Sequence, residues 1–237
     1  MAVTDEAILQ IKEMILRGDL APGDRLPPEK ELSEQLGISR SSMREAVKAL
    51  ELIRVLDVRR GDGTFVTSLE PRLLIEAISF VVDLHADSSI LELFVVRRIC
   101  EGAAAALAAS RVTPAEITAL RSQIEAVEES TDVEALVAHD IEFHGAIAAA
   151  AGNTYLRALI ESLSSRTARA RIWRGLTQEN AVARTLDEHA AIVSALEIGD
   201  PLLAESLAVT HVSGVEQWIR ARSDSAEPFV DIGATPA

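Results

Sequence analysis

The chain has 237 residues, 48% of them hydrophobic, and a formal net charge of −14. That length allows two modest domains with real cores, and a single cysteine, Cys100, excludes an internal disulfide framework and fits a reducing compartment. No run of about 18 uncharged apolar residues could span a membrane, and the start MAVTDEAILQ lacks the basic and apolar regions of a signal peptide, so the expected location is cytoplasmic.

The charge is unevenly spread. Residues 1–70 carry 10 basic and 13 acidic side chains, a net of −3, which leaves −11 for the rest. Within 39–60 the balance reverses to +3: Arg40, Arg44, Lys48, Arg54, Arg59 and Arg60 stand against Glu45, Glu51 and Asp57. Such a patch can meet phosphates while the acidic body is held away, which excludes indiscriminate coating of nucleic acid and leaves a placed interface.

In chain order, residues 5–18 put Ile8, Ile11, Ile15 and Leu16 at helical spacing, with Gly18 as a stop. The turn-rich APGDRLPPE follows, then a helix over Glu29 to Leu36 with Pro28 at its start and Gly37 at its end. Ser39 is placed to N-cap a third helix, SRSSMREAVKALELI, with Met43, Ala46, Val47 and Leu50 on one face. Helix, short glycine turn, helix is the helix-turn-helix pattern. Arg54 to Asp57 and Gly63 to Thr67 read as two short strands joined by a tight turn at 59–63, a wing. From Pro71 the pattern predicts seven helices, at about 72–84, 89–110, 114–129, 132–151, 153–174, 178–198 and 201–221, with one break at Gly175. The tail from Ser223 is polar and expected to be disordered, apart from a contact by Phe229 and Val230. The expected fold is mainly α: a winged helix-turn-helix over 1–70, an all-α bundle of about seven helices over 71–222, and a tail over 223–237.

The run from Gly18 to Arg40, followed by Met43-Arg44-Glu45-Ala46, Leu50 and Gly61-Asp62-Gly63-Thr64-Phe65-Val66, resembles the N-terminal domain of GntR-type regulators. A recognition helix brings its N-terminal residues to base edges. Here those are Ser39, Arg40, Ser41, Ser42 and Arg44; Arg can bond guanine bidentately, and small hydroxyls can bond bases or phosphate. Lys30 is placed for a phosphate. The resemblance carries the DNA contacts to Lys30, Ser39, Arg40, Ser41, Ser42, Arg44 and the wing residue Gly61, whereas Lys48 and Arg54 read as a solvated face. Two positions depart from the family: Arg54 stands where a glycine usually ends the recognition helix, and Asp62 where a basic residue is common at the wing tip.

Four residues of the second domain form an unusual set. Asp140 and His144 lie at i and i+4 on one helix face, while His189 in DEHAAI and His211 in VTHVSG sit among apolar neighbours. Three imidazoles and a carboxylate suit a divalent first-row metal, although an isolated Asp–His pair is more often a cap or a core hydrogen bond. Residues 71–221 resemble the FadR C-terminal domain, FCD, through Val96-Arg97-Arg98-Ile99-Cys100-Glu101, His139-Asp140-Ile141-Glu142-Phe143-His144, Ala151-Gly152-Asn153, Glu188-His189 and His211. The resemblance implies that Asp140, His144, His189 and His211 hold a divalent metal, zinc first, with nickel or manganese as alternatives. It also implies a small carboxylate effector anchored by Arg97, for which a surface pair with Glu101 is the competing reading. Arg169, Arg171 and Trp173 lie on a helix that could wall the pocket, and Asn153 is expected to cap the following helix. His139 is expected to point away from the metal, and His85 to face solvent. The resulting expectation is a homodimeric regulator, most often a repressor in this family, that binds operator DNA under control of a small organic acid. A metal-dependent hydrolase and a regulator with a purely structural metal remain the alternatives.

Overall fold

A computed structural model describes residues 3–73, 75, 90–128, 131–178 and 180–223. The chain divides into two compact units, Met1–Leu84 and His85–Ala237. Beyond the short helical start at 71–73, the expected helix over 72–84, like His85, Phe229 and Val230, lies outside the described residues.

The first unit contains α1 (Val3–Arg17), α2 (Glu29–Leu36), α3 (Arg40–Leu52), β1 (Leu56–Arg59) and β2 (Gly63–Val66). Ala7 and Ile11 of α1 are fully buried with Ile8, Met14 and Ile15 packed alongside. Leu16, expected on the same stripe, is 73% exposed, because it lies about 100° around the helix from Ile15 and belongs to the opposite edge. The core is completed by Leu20, Leu26, Leu32, Ile38, Met43, Ala46, Val47, Leu50, Leu56 and Val66. Ser39 caps α3 by accepting from the Ser42 amide at 3.2 Å. Strands β1 and β2 pair antiparallel from Leu56↔Val66 to Arg59↔Gly63, and Gly61 takes the turn at φ +81°.

The first strand begins at Leu56, two residues after the expected Arg54. The cause is how α3 ends. The Arg54 amide donates to Glu51 O at 3.0 Å and the Val55 amide to Leu50 O at 2.9 Å, a Schellman closure that forces the intervening residue into the left-handed region. That residue is Arg54, at φ +60°, in the place glycine favours. Left-handed geometry costs a side-chain-bearing residue about 1–2 kcal/mol, partly offset by glycine's larger unfolded-state entropy. Arg54→Gly is therefore expected to stabilise the first unit by about 0.5–1 kcal/mol and Arg54→Val to destabilise it. Urea midpoints of the three proteins check this, and a midpoint lowered by Arg54→Gly would contradict the strain.

The second unit contains α4 (Ile90–Ala109), α5 (Pro114–Glu125), α6 (Val133–Ala150), α7 (Thr154–Thr177), α8 (Ala181–Glu197) and α9 (Pro201–Ser223). Their starts are chemically marked. Thr113 and Glu116 form a reciprocal capping box at α5, Asp132 accepts from the Ala135 amide at 2.7 Å, and Asn153 accepts from the Tyr155 and Leu156 amides, the capping role expected for it. α4 lies along α9, where a Cβ on Gly102 would come within 2.7 Å of Val209 Cγ2. Ala105, Ala108, Phe143, Ile147, Ile192, Leu196 and Ala204 sit in the main core. The expected break at Gly175 does not occur: α7 continues to Thr177. A Cβ on Gly175 would lie 2.5 Å from Val133 Cγ1, so the glycine serves the close approach of α6 to α7 rather than a turn.

Candidate metal centre and nucleic-acid interface

Asp140 and His144 project from α6, His189 from α8 and His211 from α9; all four are buried, and their ligand atoms lie within 4.8 Å of one another. Asp140 Oδ1 stands 3.6 Å from His144 Nε2, 3.3 Å from His189 Nε2 and 3.2 Å from His211 Nε2. Bonds of roughly 2.0–2.1 Å to one ion set tetrahedral ligand atoms roughly 3.3 Å apart, so these separations already suit a shared cation. Nε2 of His144 and of His189 are buried without a hydrogen-bond partner. Buried polar atoms rarely remain unsatisfied, and two imidazole nitrogens converging on one carboxylate oxygen fit a metal ion.

Behind the centre, the other nitrogen of each imidazole faces a polar group. His144 Nδ1 lies 3.0 Å from Glu101 Oε2 of α4, and His211 Nδ1 lies 2.7 Å from Glu188 Oε2 of α8. His189 Nδ1 is 3.2 Å from His139 Nε2, and Phe143 stacks on the His189 ring with centroids 3.9 Å apart. His139 was expected to point elsewhere. It reaches the cluster because His189 turns its second nitrogen towards the adjacent edge of α6. If Nε2 of His189 held a metal, its Nδ1–H would donate to His139, which would then be the acceptor. His139→Phe is expected to weaken metal binding about 10–100-fold, whereas His139→Gln, which still offers an acceptor, retains most of it. Chelator competition on the three proteins checks this, and equal affinities for wild type and His139→Phe would remove the residue from the centre.

The electrostatics favour a cation. Burial would raise the Asp140 carboxyl, but the Arg171 guanidinium and the His144 imidazole hold it well below the usual carboxylate range. Burial would lower His144, yet Glu101 and Asp140 raise it to about 9. Burial carries His189 down to about 3, so it stays neutral. A divalent ion held at this cluster would have to displace the proton that Glu101 and Asp140 draw to His144.

Arg171 donates to Asp140 Oδ2 and to the Ser164 carbonyl, which leaves Oδ1 towards the three histidines. Arg97 is 1% exposed; it pairs with Glu101, as the competing reading held, but in the core rather than on the surface. Its Nε donates to Glu101 Oε1 at 2.7 Å and its Nη1 to Thr167 Oγ1 at 2.9 Å. Arg97 thus stands behind Glu101 and His144. A small, partly open cavity lies beside the centre, lined by Asp140, His211, Arg171 and Arg174 among apolar residues such as Val137 and Val215. Arg97 is not among its lining residues. Nor are Arg169, which is exposed, and Trp173, whose ring packs edge-on against Trp218. The sequence reading missed Arg174. Its signal was a polar stripe on the buried face of α7: Ser164, Thr167, Arg171 and Arg174 follow at helical spacing.

On the first unit, burial of Met43, Ala46, Val47 and Leu50 turns the opposite face of α3 outward. Arg40 and Arg44 are exposed there, near Glu34 at 3.8 Å and Glu29 at 3.5 Å. Exposed pairs of this kind are worth little, so DNA phosphates or bases can displace them. The Ser39 hydroxyl lies 3.0 Å from that of Ser41 and 2.9 Å from that of Ser42. Lys30 is exposed in the first turn of α2, and Gly61 is exposed at the wing tip. The structure brings Ser39, Arg40, Ser41, Ser42 and Arg44 together at one helix end.

The bacterial regulatory protein gntR family matches residues 3–66, and the FCD domain family matches residues 92–214, a segment holding all four cluster residues. The chain belongs to the GntR family. Its relatives include the HTH-type transcriptional regulator LutR of Bacillus subtilis (strain 168), 30% identical over 210 residues that cover 86% of this chain and 94% of that protein. The galactonate operon transcriptional repressor of Escherichia coli (strain K12) is 30% identical over 219 residues, 89% of this chain and 93% of that protein. The solved structure of Streptococcus agalactiae GntR matches with a TM-score of 0.66 and 25% identity, over 91% of this chain and 99% of that one. This GntR-family protein is a DNA-binding transcription regulator with an FCD domain, and the hydrolase alternative falls with that assignment. Among the described residues no helix is long and apolar enough to cross a membrane.

Proposed function

We propose that this GntR-family regulator is a cytoplasmic, homodimeric repressor whose operator affinity is set by a small organic acid bound at a divalent metal, zinc in the first instance. The observation that carries the reading is the buried Asp140, His144, His189 and His211 cluster, with two orphaned Nε2 atoms, beside a cavity lined by arginines. The metal would be held by these four residues and would supply a Lewis-acidic site for an oxygen ligand. In a segment carrying −11 net charge an anion needs such a local positive site. Repression and a sugar-acid operon both stand in the name of the Escherichia coli relative. Homodimerisation rests on helix-turn-helix chemistry, since paired reading heads match a two-fold operator. Lys30, Ser39, Arg40, Ser41, Ser42, Arg44 and Gly61 would contact the DNA. Arg97 enters behind the metal, fixing Glu101 and through it His144.

The competing reading is a structural metal with no effector. An operator-binding titration of the metal-loaded protein against galactonate, gluconate, lactate, malonate, succinate and glutarate separates the two. A coupling of about 1–3 kcal/mol changes affinity roughly 5–150-fold. A response to one of the acids supports the proposal, and unchanged affinity with all of them favours the structural metal.

A further inference from the structure

Among the described residues of the second unit three arginines are buried, and two have their charge answered. Arg97 is held by Glu101 and Thr167, and Arg171 by Asp140 and the Ser164 carbonyl. Arg174 is 7% exposed, and its only hydrogen bond by a side-chain nitrogen to a described residue runs from Nε to Gln178 Oε1, at 2.6 Å. It makes no ion pair with any described carboxylate. Glu188 and Asp140 attract it only from beyond ion-pair distance, and a guanidinium that is nine-tenths buried without a direct carboxylate partner is costly, while its fork is suited to a carboxylate. Arg174 lines the same cavity as Asp140 and His211, so one small molecule can reach both it and the metal cluster.

The charges around the cavity name the ligand class. Arg97 with Glu101 and Arg171 with Asp140 cancel pairwise, while Glu188 is answered by Arg184 at 2.9 Å. What remains is the charge of Arg174 and that of a divalent ion. We infer that Arg174 is the anchor for the far carboxylate of a short dicarboxylate, whose near carboxylate occupies the metal. This rests on the reading that the cluster holds a divalent ion. A dianion lowers the positive charge further than a monocarboxylate does, and it alone sets a carboxylate against both the ion and Arg174.

The test uses the full-length zinc-loaded chain and calorimetric titration with malonate, succinate and glutarate, each against the monocarboxylate of the same carbon count. Wild type is expected to favour at least one dicarboxylate over its partner by about tenfold or more. Arg174→Gln is expected to erase that preference while keeping the wild-type metal content. Arg174→Lys, with the charge but not the fork, keeps part of it. Equal binding of every pair by wild type, no binding of any, or a preference that survives Arg174→Gln overturns the assignment. Failure of the underlying reading shows separately, as wild-type protein that holds no zinc at the cluster.

Discussion

Replacing His144 and His189 together by alanine is expected to empty the metal centre. Wild-type protein should carry about one divalent ion per chain, and the double variant close to none. The two side chains supply both orphaned nitrogens, and their loss leaves Asp140 and His211, too few for a tight site. An ion held at about 1,000 times its dissociation constant stabilises the folded chain by about 4 kcal/mol, which for a domain of this size is on the order of 10 °C in melting temperature. Stripping the wild type should produce a fall of that order, and stripping the variant almost none. Equal metal content in the two proteins would place the ion elsewhere and remove the centre from the account.

On the first unit, Arg40→Ala and Arg44→Ala should each weaken operator binding by about 1–3 kcal/mol and relax base preference where the lost side chain reads. Lys30→Ala should weaken binding evenly across sequences and lower the salt slope by about one unit. None of the three should shift the urea midpoint appreciably, because the side chains are exposed and make weak surface pairs or none. Fluorescence anisotropy with operator and scrambled duplexes separates base reading from phosphate contact. Full operator affinity in both arginine variants would place the recognition surface somewhere other than the start of α3.

Much of this was legible in the sequence because it is local. The apolar period of α3, the Ser39 cap, the glycine after α2 and the turn at Gly61 each act within a few residues. The metal set was legible in part: Asp140 and His144 share a helix face by spacing alone, while joining His189 and His211 to them required the family resemblance. The rest depends on how helices face one another. His139 lies one residue from Asp140, about 100° around α6, and spacing cannot reveal that a ring on α8 turns towards it. Arg97 with Glu101 reads identically as a surface pair or a buried one. Gly175 carries the residue type of a helix stop, but the close approach of Val133 decides its role, and Val133 belongs to another helix. At Arg54 the residue type argued against a helix end, and the hydrogen-bond closure at the end of α3 overrode it.

Responsibility for the centre is shared widely. α4 supplies Glu101, α6 Asp140, His144 and His139, α7 Arg171, α8 His189 and Glu188, and α9 His211, whereas α5 gives the core only Ile117 and Leu120 among its buried residues. One inserted or deleted residue turns everything beyond it by about 100°. Evolutionary changes of length should therefore be purged from five of these six helices and collect around the sixth, in α5 and the loops that flank it.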